Sequence, residues 1–176
     1  MKRVKVNETP PVIPSAAAPN DPLIDERFMA EAITLSALAV RHGNEPFGAV
    51  LVKNGEILFT NENQIYTRHD PTFHAEIGLL RRFFAQTEQA DLRGCTLYSS
   101  CEPCFMCSGA LVWAQLGRLV YAASNRDLAA LVGDEGCDCC RTVFSHSIPR
   151  PAVTGGVLRG ASLAILSEYF SSHSKG

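Results

Sequence analysis

An α/β layered fold built on a mixed five-stranded sheet is predicted by three features of this chain. Two short apolar runs flank an Asn-Gly pair, three more strand-like runs follow, and segments of helical period stand before, between and after them. Strands separated by helices favour a layered domain with parallel pairs after the first hairpin.

The elements follow in order. Phe28, Ala32, Leu35, Leu38 and Ala39 recur at helical spacing from about Leu23 to Arg41, and His42-Gly43-Asn44 supplies a stop. Ala49 to Val52 and Ile57 to Thr60 read as two strands joined through Lys53-Asn54-Gly55-Glu56, where Asn-Gly tolerates the positive φ of a tight hairpin. Asp70-Pro71-Thr72 reads as a helix start, with Asp70 capping and Pro71 at the first helical position, and the helix runs to about Ala85. Cys95 to Ser99 is a third strand. Pro103 opens a second such helix, through about Gln115, which turns Leu111 and Ala114 inward. Arg118 to Ala123 is a fourth strand, Ser124 to about Pro151 carries no predicted element, and a short strand near Ala152 to Thr154 precedes a final helix from about Leu158 to Phe170.

With 176 residues, 46% of them hydrophobic and 19% charged, the chain has the makings of one ordinary globular core rather than a disordered or membrane chain. Residues 1 to 20, rich in Pro and Ala, are expected to form a flexible arm, leaving 21 to 176 as the single domain. Lys2, Arg3 and Lys5 are not followed by an apolar core, so no signal peptide is read, and no run reaches the length of a membrane span. A cytoplasmic protein is expected. A net charge of -2 supplies no global basic field, which disfavours a nucleic-acid substrate.

His74-Ala75-Glu76 followed by Pro103-Cys104-Phe105-Met106-Cys107 is an H-x-E and P-C-x-x-C pair, the signature of zinc nucleobase deaminases. Each half stands at a predicted helix N-terminus, where free N–H groups and the helix dipole favour anionic ligands and ease thiol deprotonation. Cys104 and Cys107, three apart on one helical face, can reach one ion with His74. Three protein ligands leave Zn²⁺ one open position, the mark of a catalytic site. Because two thiolates neutralise the ion, its water needs a nearby base, and Glu76 is placed to serve. Taken singly, His-x-Glu is usually a helix-surface pair and Cys-x-x-Cys is often buried thiols; their ordered combination decides for one zinc per chain. Cys101, ahead of the helix, is not expected to be a ligand. Cys137, Cys139 and Cys140 are expected to be ordinary loop thiols, the alternative being a second metal site with His146.

On these motifs, and on Pro46-Phe47-Gly48-Ala49, His69-Asp70-Pro71-Thr72, Cys101-Glu102-Pro103-Cys104 and Gly155-Gly156-Val157-Leu158, the chain resembles the cytidine deaminase-like superfamily from about residue 24 to 170. The resemblance is to the branch of bacterial guanine deaminases and tRNA adenosine deaminases. It implies a three-layer α/β/α sandwich, usually dimeric. It also implies that Asn63 binds the base edge, that the Ala75 and Cys104 backbone N–H groups flank the reacting centre, and that Phe47 contacts substrate. Trp113 and the acidic pair Asp134-Glu135 are similar to guanine deaminases, in which an acidic residue assists; Glu135 is the candidate, with Asp134 open, and Trp113 is alternatively core. Arg68-His69-Asp70-Pro71 and the Gly-Gly-Val-Leu segment are closer to tRNA adenosine deaminases. Charge tips the balance toward hydrolytic deamination of a free base or nucleoside, guanine or a related aminopurine first. The alternatives are tRNA adenosine deamination, deamination of cytosine or another aminoheterocycle, and a non-enzymatic zinc-stabilised binding module.

Overall fold

The computed structural model describes residues 21–173; the expected arm over residues 1 to 20 lies outside the described residues. Eleven elements run in the order α1 (Pro22–Arg41), β1 (Gly48–Lys53), β2 (Glu56–Glu62), α2 (Ala75–Gln86), β3 (Cys95–Cys101), α3 (Phe105–Trp113), β4 (Arg118–Ala123), α4 (Asn125–Val132), α5 (Cys139–Ser145), β5 (Ala152–Gly155) and α6 (Arg159–His173). The strands form one sheet in the order β2-β1-β3-β4-β5. The predicted hairpin is present, with Asn54 and Gly55 both at positive φ. β1 also pairs antiparallel with β3, and the expected parallel pairs are β3 with β4 and β4 with β5.

Period-two alternation along the central strands builds three layers. Ala49, Leu51, Leu97, Leu119 and Tyr121 face a core completed by Leu79 and Phe83 of α2, Leu111 of α3 and Phe144 of α5. Their neighbours Val50, Val52, Tyr98, Val120 and Ala122 face Phe28, Met29 and Ala32 of α1, with Ile165 of α6 beside them. This is the α/β/α sandwich that the resemblance implied. At the start of β1 the approach to α1 is so close that a Cβ on Gly48 would strike the Ala32 carbonyl. Among the described residues, no helix is long and apolar enough to cross a membrane.

Three expectations need correction. α2 begins at Ala75 rather than Pro71, because the Asp70 carboxylate accepts from Thr72 N–H (2.8 Å) and Oγ1 (2.6 Å) in a turn instead of capping a helix. α3 begins at Phe105, with Pro103 one residue ahead of the N-cap. The stretch expected to lack elements carries α4 and α5. α4 starts in a reciprocal capping box between Ser124 and Asp127 and ends at Gly133 in the left-handed region. Glu102, buried at the end of β3, accepts from Asn125 N–H (3.0 Å) and Cys140 N–H (3.1 Å). One carboxylate thus satisfies the first turns of both helices and ties them to the segment bearing Cys104.

Candidate active site

The two corrected helix starts build the site. His74 and Cys104 occupy the N-cap positions of α2 and α3 in extended conformation, with φ/ψ of -63/162 and -64/176. Each side chain therefore projects ahead of its helix, while Glu76 and Cys107 lie within the first turns. Donor atoms of His74, Cys104 and Cys107 all lie within 4.8 Å of one another, and Cys104 Sγ is 3.7 Å from His74 Nδ1. Tetrahedral zinc, with bonds of about 2.0–2.3 Å, needs donors about 3.3–3.8 Å apart, so this set fits the ion with little movement.

Electrostatics favour the same use. A hydrogen bond from Cys107, aided by His74, pulls the Cys104 thiol down to about 4, making it a ready thiolate ligand. The hydrogen bond to Cys104 raises His74 against the opposing effect of its burial. Cys107 is pushed up by its contact with Cys104 and by burial. Glu76 is buried beside the set: Oε1 accepts from Ser99 Oγ at 2.8 Å, and Oε2 lies 3.5 Å from Cys107 Sγ. Burial raises its pKa above the ordinary carboxylate range.

Asn63, following β2, is fully buried. Its Oδ1 accepts from Ile65 N–H (3.1 Å), which satisfies the strand end, but Nδ2 has no partner among the described residues. Phe47 holds this segment by accepting Asn63 N–H at its carbonyl (2.9 Å). Ala75 is the first residue of α2, and its carbonyl accepts from Asn61 Nδ2 at 3.1 Å. Gly78, one turn on, makes room for Asn61 and Phe73, both of which a Cβ would strike.

The remaining candidates lie elsewhere. Trp113 ends α3 at the pole away from Cys104, about 14 Å along the axis. It is 89% exposed rather than core. It borders a groove of 680 Å³ between α2 and α3, lined by Ile77, Leu80, Phe84 and Ala110. Asp134 and Glu135 are exposed in the α4–α5 loop, where Asp134 accepts Glu135 N–H. Among the described residues the His74, Cys104 and Cys107 set is the one donor cluster of metal-binding geometry. Cys139 and Cys140 are buried thiols and His146 is exposed, and Cys101 is buried outside the set. Burial, with a hydrogen bond to Cys137, pushes Cys139 up to about 12. Ser99 was not found from sequence; its place on β3 opposite α2 depends on a pairing that no motif marks.

A catalytic-type donor set at two helix starts, with a buried carboxylate against it and an α/β/α frame behind it, defines a zinc-dependent hydrolytic deaminase of nucleobases. Comparison with known proteins agrees: residues 23–123 match the cytidine and deoxycytidylate deaminase zinc-binding region, and the chain belongs to that family. Guanine deaminase of Bacillus subtilis is 43% identical over 105 residues, covering 59% of this chain and 67% of its own. The tRNA-specific adenosine deaminase of Buchnera aphidicola is 34% identical over 148 residues, 83% and 88% of the two chains. Among solved structures, guanine deaminase from Nitrosomonas europaea superposes with a TM-score of 0.73 at 28% identity, over 89% of this chain and 86% of that one.

Proposed function

We propose that this enzyme deaminates a free aminopurine base, guanine first, with His74, Cys104 and Cys107 as zinc ligands and Glu76 as proton shuttle. The observation that carries the mechanism is the buried Glu76 carboxylate, held by Ser99 with its second oxygen against the donor set. Bound zinc supplies Lewis acidity that makes its water a nucleophile at neutral pH. Glu76 takes one proton of the attacking water at its carboxylate and passes it to the ring nitrogen beside the amino-bearing carbon; it then takes the second proton, from the hydroxyl added to that carbon, and delivers it to the amine, which leaves as ammonia. Ser99 fixes the carboxylate's direction. The unpartnered Asn63 Nδ2 is a buried donor in want of an acceptor, and a purine carbonyl or ring nitrogen offers one. The guanine deaminase relatives and the absence of a net basic charge support the free base.

A second reading, tRNA adenosine deamination, is favoured by one local feature besides the Buchnera relative. The Arg68 and Arg81 guanidinium groups lie 4.2 Å and 5.5 Å from the ring of Phe73, next to His74, an arrangement suited to a nucleotide backbone. Ammonia release from guanine, adenine, cytosine, their nucleosides, 2,6-diaminopurine and a tRNA anticodon hairpin separates the two. Turnover of one free base supports the first reading; turnover of the hairpin alone, with steep salt dependence, replaces it by the second. The site residues are tested through metal content: Cys104→Ser is expected to fall from about one zinc per chain to a small fraction of that and to melt at lower temperature. Full zinc occupancy in that variant would remove Cys104 from the ligand set.

The homodimer is proposed through the outer face of α2 and α3. Phe105, Met106 and Trp113 are exposed there, and the protruding Trp113 stands beside an apolar groove that a second copy can fill in a two-fold contact. Trp113→Ala is expected to shift sedimentation equilibrium from dimer to monomer, and an unchanged dimer would place the interface elsewhere. A cytoplasmic location is the companion proposal.

A further inference from the structure

Asn44 stands in the loop between α1 and β1 and is 1% exposed. Its backbone N–H donates to the Ala39 carbonyl at 2.9 Å, which moors it to the end of α1. Its Oδ1 accepts from Tyr66 N–H (3.1 Å), Thr67 N–H (3.1 Å) and Thr67 Oγ1 (3.2 Å). Backbone N–H groups only donate, so the amide oxygen must face them, and Nδ2 is left without a partner among the described residues. The segment that Asn44 holds is one tight turn. Arg68 N–H donates to the Gln64 carbonyl (3.0 Å), His69 N–H to that of Tyr66 (3.2 Å) and Asp70 N–H to that of Ile65 (3.1 Å). Ile65 N–H donates to Asn63 Oδ1 (3.1 Å). Two asparagine oxygens thus take up the successive N–H groups of Ile65, Tyr66 and Thr67, as caps do at a helix start. Gln64 N–H closes the neck of the loop on the Phe73 carbonyl (3.1 Å), which fastens the residue after Asn63 to the residue before His74.

The same turn fixes the amide of Asn63. Ile65 N–H claims its oxygen, and Nδ2 remains as the group offered to a bound base, a buried donor in want of an acceptor. If the turn opened, Ile65 N–H would leave Asn63 Oδ1, and the amide would be free to rotate and present its oxygen instead. The hydrogen-bond sense that the site offers the base would then reverse. We propose that Asn44 is a positioning residue for substrate selection: by accepting from Tyr66 and Thr67 it holds the turn that orients Asn63, so that the site presents an N–H donor to an acceptor edge of the base. The proposal rests on the reading of Asn63 as the base contact and names the residue that sets its orientation.

The test follows kcat, KM and zinc content in wild type, Asn44→Ala, Asn44→Asp and Asn63→Ala, on the member of the panel above that wild type turns over fastest. Asn63→Ala is expected to raise KM about 10–100-fold, since the contact it removes is present in bound substrate as well as in the transition state. Asn44→Ala is expected to raise KM about 10-fold, with kcat changed less than about 3-fold and zinc retained. It should also lose backbone hydrogen-exchange protection over residues 65–70. Asn44→Asp keeps the acceptor and drops only the unpartnered Nδ2, so it is expected to restore protection and return KM to within about 3-fold of wild type. A merely structural role would lower the melting temperature and the zinc-loaded fraction while KM of the remaining enzyme stayed unchanged. Thr67→Val, which removes one of the three bonds, carries the test at smaller amplitude should Asn44→Ala fold poorly. An unchanged KM in Asn44→Ala beside a raised one in Asn63→Ala overturns the role of Asn44 alone, and so does an Asn44→Asp no better than Asn44→Ala. An unchanged KM in Asn63→Ala, or a wild type silent on the whole panel, overturns the base contact and this proposal together.

Discussion

Glu76→Gln is expected to keep its zinc and lose about 10²–10⁴-fold in kcat, the range a positioned acid–base group contributes. Glutamine preserves the volume and can still accept from Ser99 Oγ, the 2.8 Å contact that orients the side chain, but it cannot take up and return a proton. kcat and kcat/KM should fall together, because the lost interaction belongs to the transition state. Stability should move the other way in zinc-depleted protein. Burial raises the folded pKa of Glu76, whereas an unfolded glutamate titrates near about 4.3. The folded state therefore holds the proton more tightly than the unfolded one, and stability is lost as pH rises from the unfolded value through the folded one. The Gln variant lacks that loss, so it should melt above wild type at pH 7, with the gain shrinking below about pH 4. A variant retaining more than a tenth of wild-type turnover would remove Glu76 from the proton shuttle, whatever its stability.

The metal set was legible because each of its residues sits in a short local motif. His74 and Glu76 are two apart, Cys104 and Cys107 three apart, and helix geometry turns such spacings into proximity. The helix starts were misplaced by a few residues because proline marks punctuation without saying which side it falls on. Asp70 had two partners within reach, and Thr72 won over the helix. α4 did carry readable signals, Ser124 with Asp127 three residues on and Gly133 at the end, but its eight residues give too few turns for periodicity to stand out. α5 had none: its cysteines are poor helix formers, and its first turn depends on Glu102, 38 residues earlier. Ser99 was hidden for the same physical reason. Its meaning arises only when the sheet brings it to Glu76. Trp113 shows the converse limit, since helical spacing alone did not separate an inward from an outward face.

Asp25→Ala is expected to cost about 3–5 kcal/mol of folding stability, the largest stability loss foreseen for a single residue. Arg118, at the first position of β4, is 1% exposed and meets Asp25 of α1 in a two-pronged pair, Nη1 to Oδ1 at 2.7 Å and Nη2 to Oδ2 at 2.6 Å. Tyr98 of β3 donates to Asp25 Oδ1 at 2.8 Å, and Arg118 Nη2 also donates to Thr154 of β5 at 3.0 Å. One charge pair therefore fastens α1 to three adjacent strands. Removing the carboxylate leaves a guanidinium buried without its counter-ion and a phenol without its acceptor, and that desolvation dominates the cost. At about 2–4 °C per kcal/mol for a chain of this size, the melting temperature should fall by roughly 6–20 °C. The double variant Asp25→Leu with Arg118→Met should recover most of the loss, because an apolar pair of similar volume needs no desolvated charge. The pair sits at the N-terminal end of β4, whereas the metal donors lie beyond the C-terminal end of β3. Turnover per zinc-loaded folded molecule should therefore stay near wild type at temperatures below the transition. A single-variant loss under about 1 kcal/mol would mean that water reaches Arg118. A double variant no more stable than Asp25→Ala would mean that the directed hydrogen bonds, rather than burial of the charge, hold α1 to the sheet.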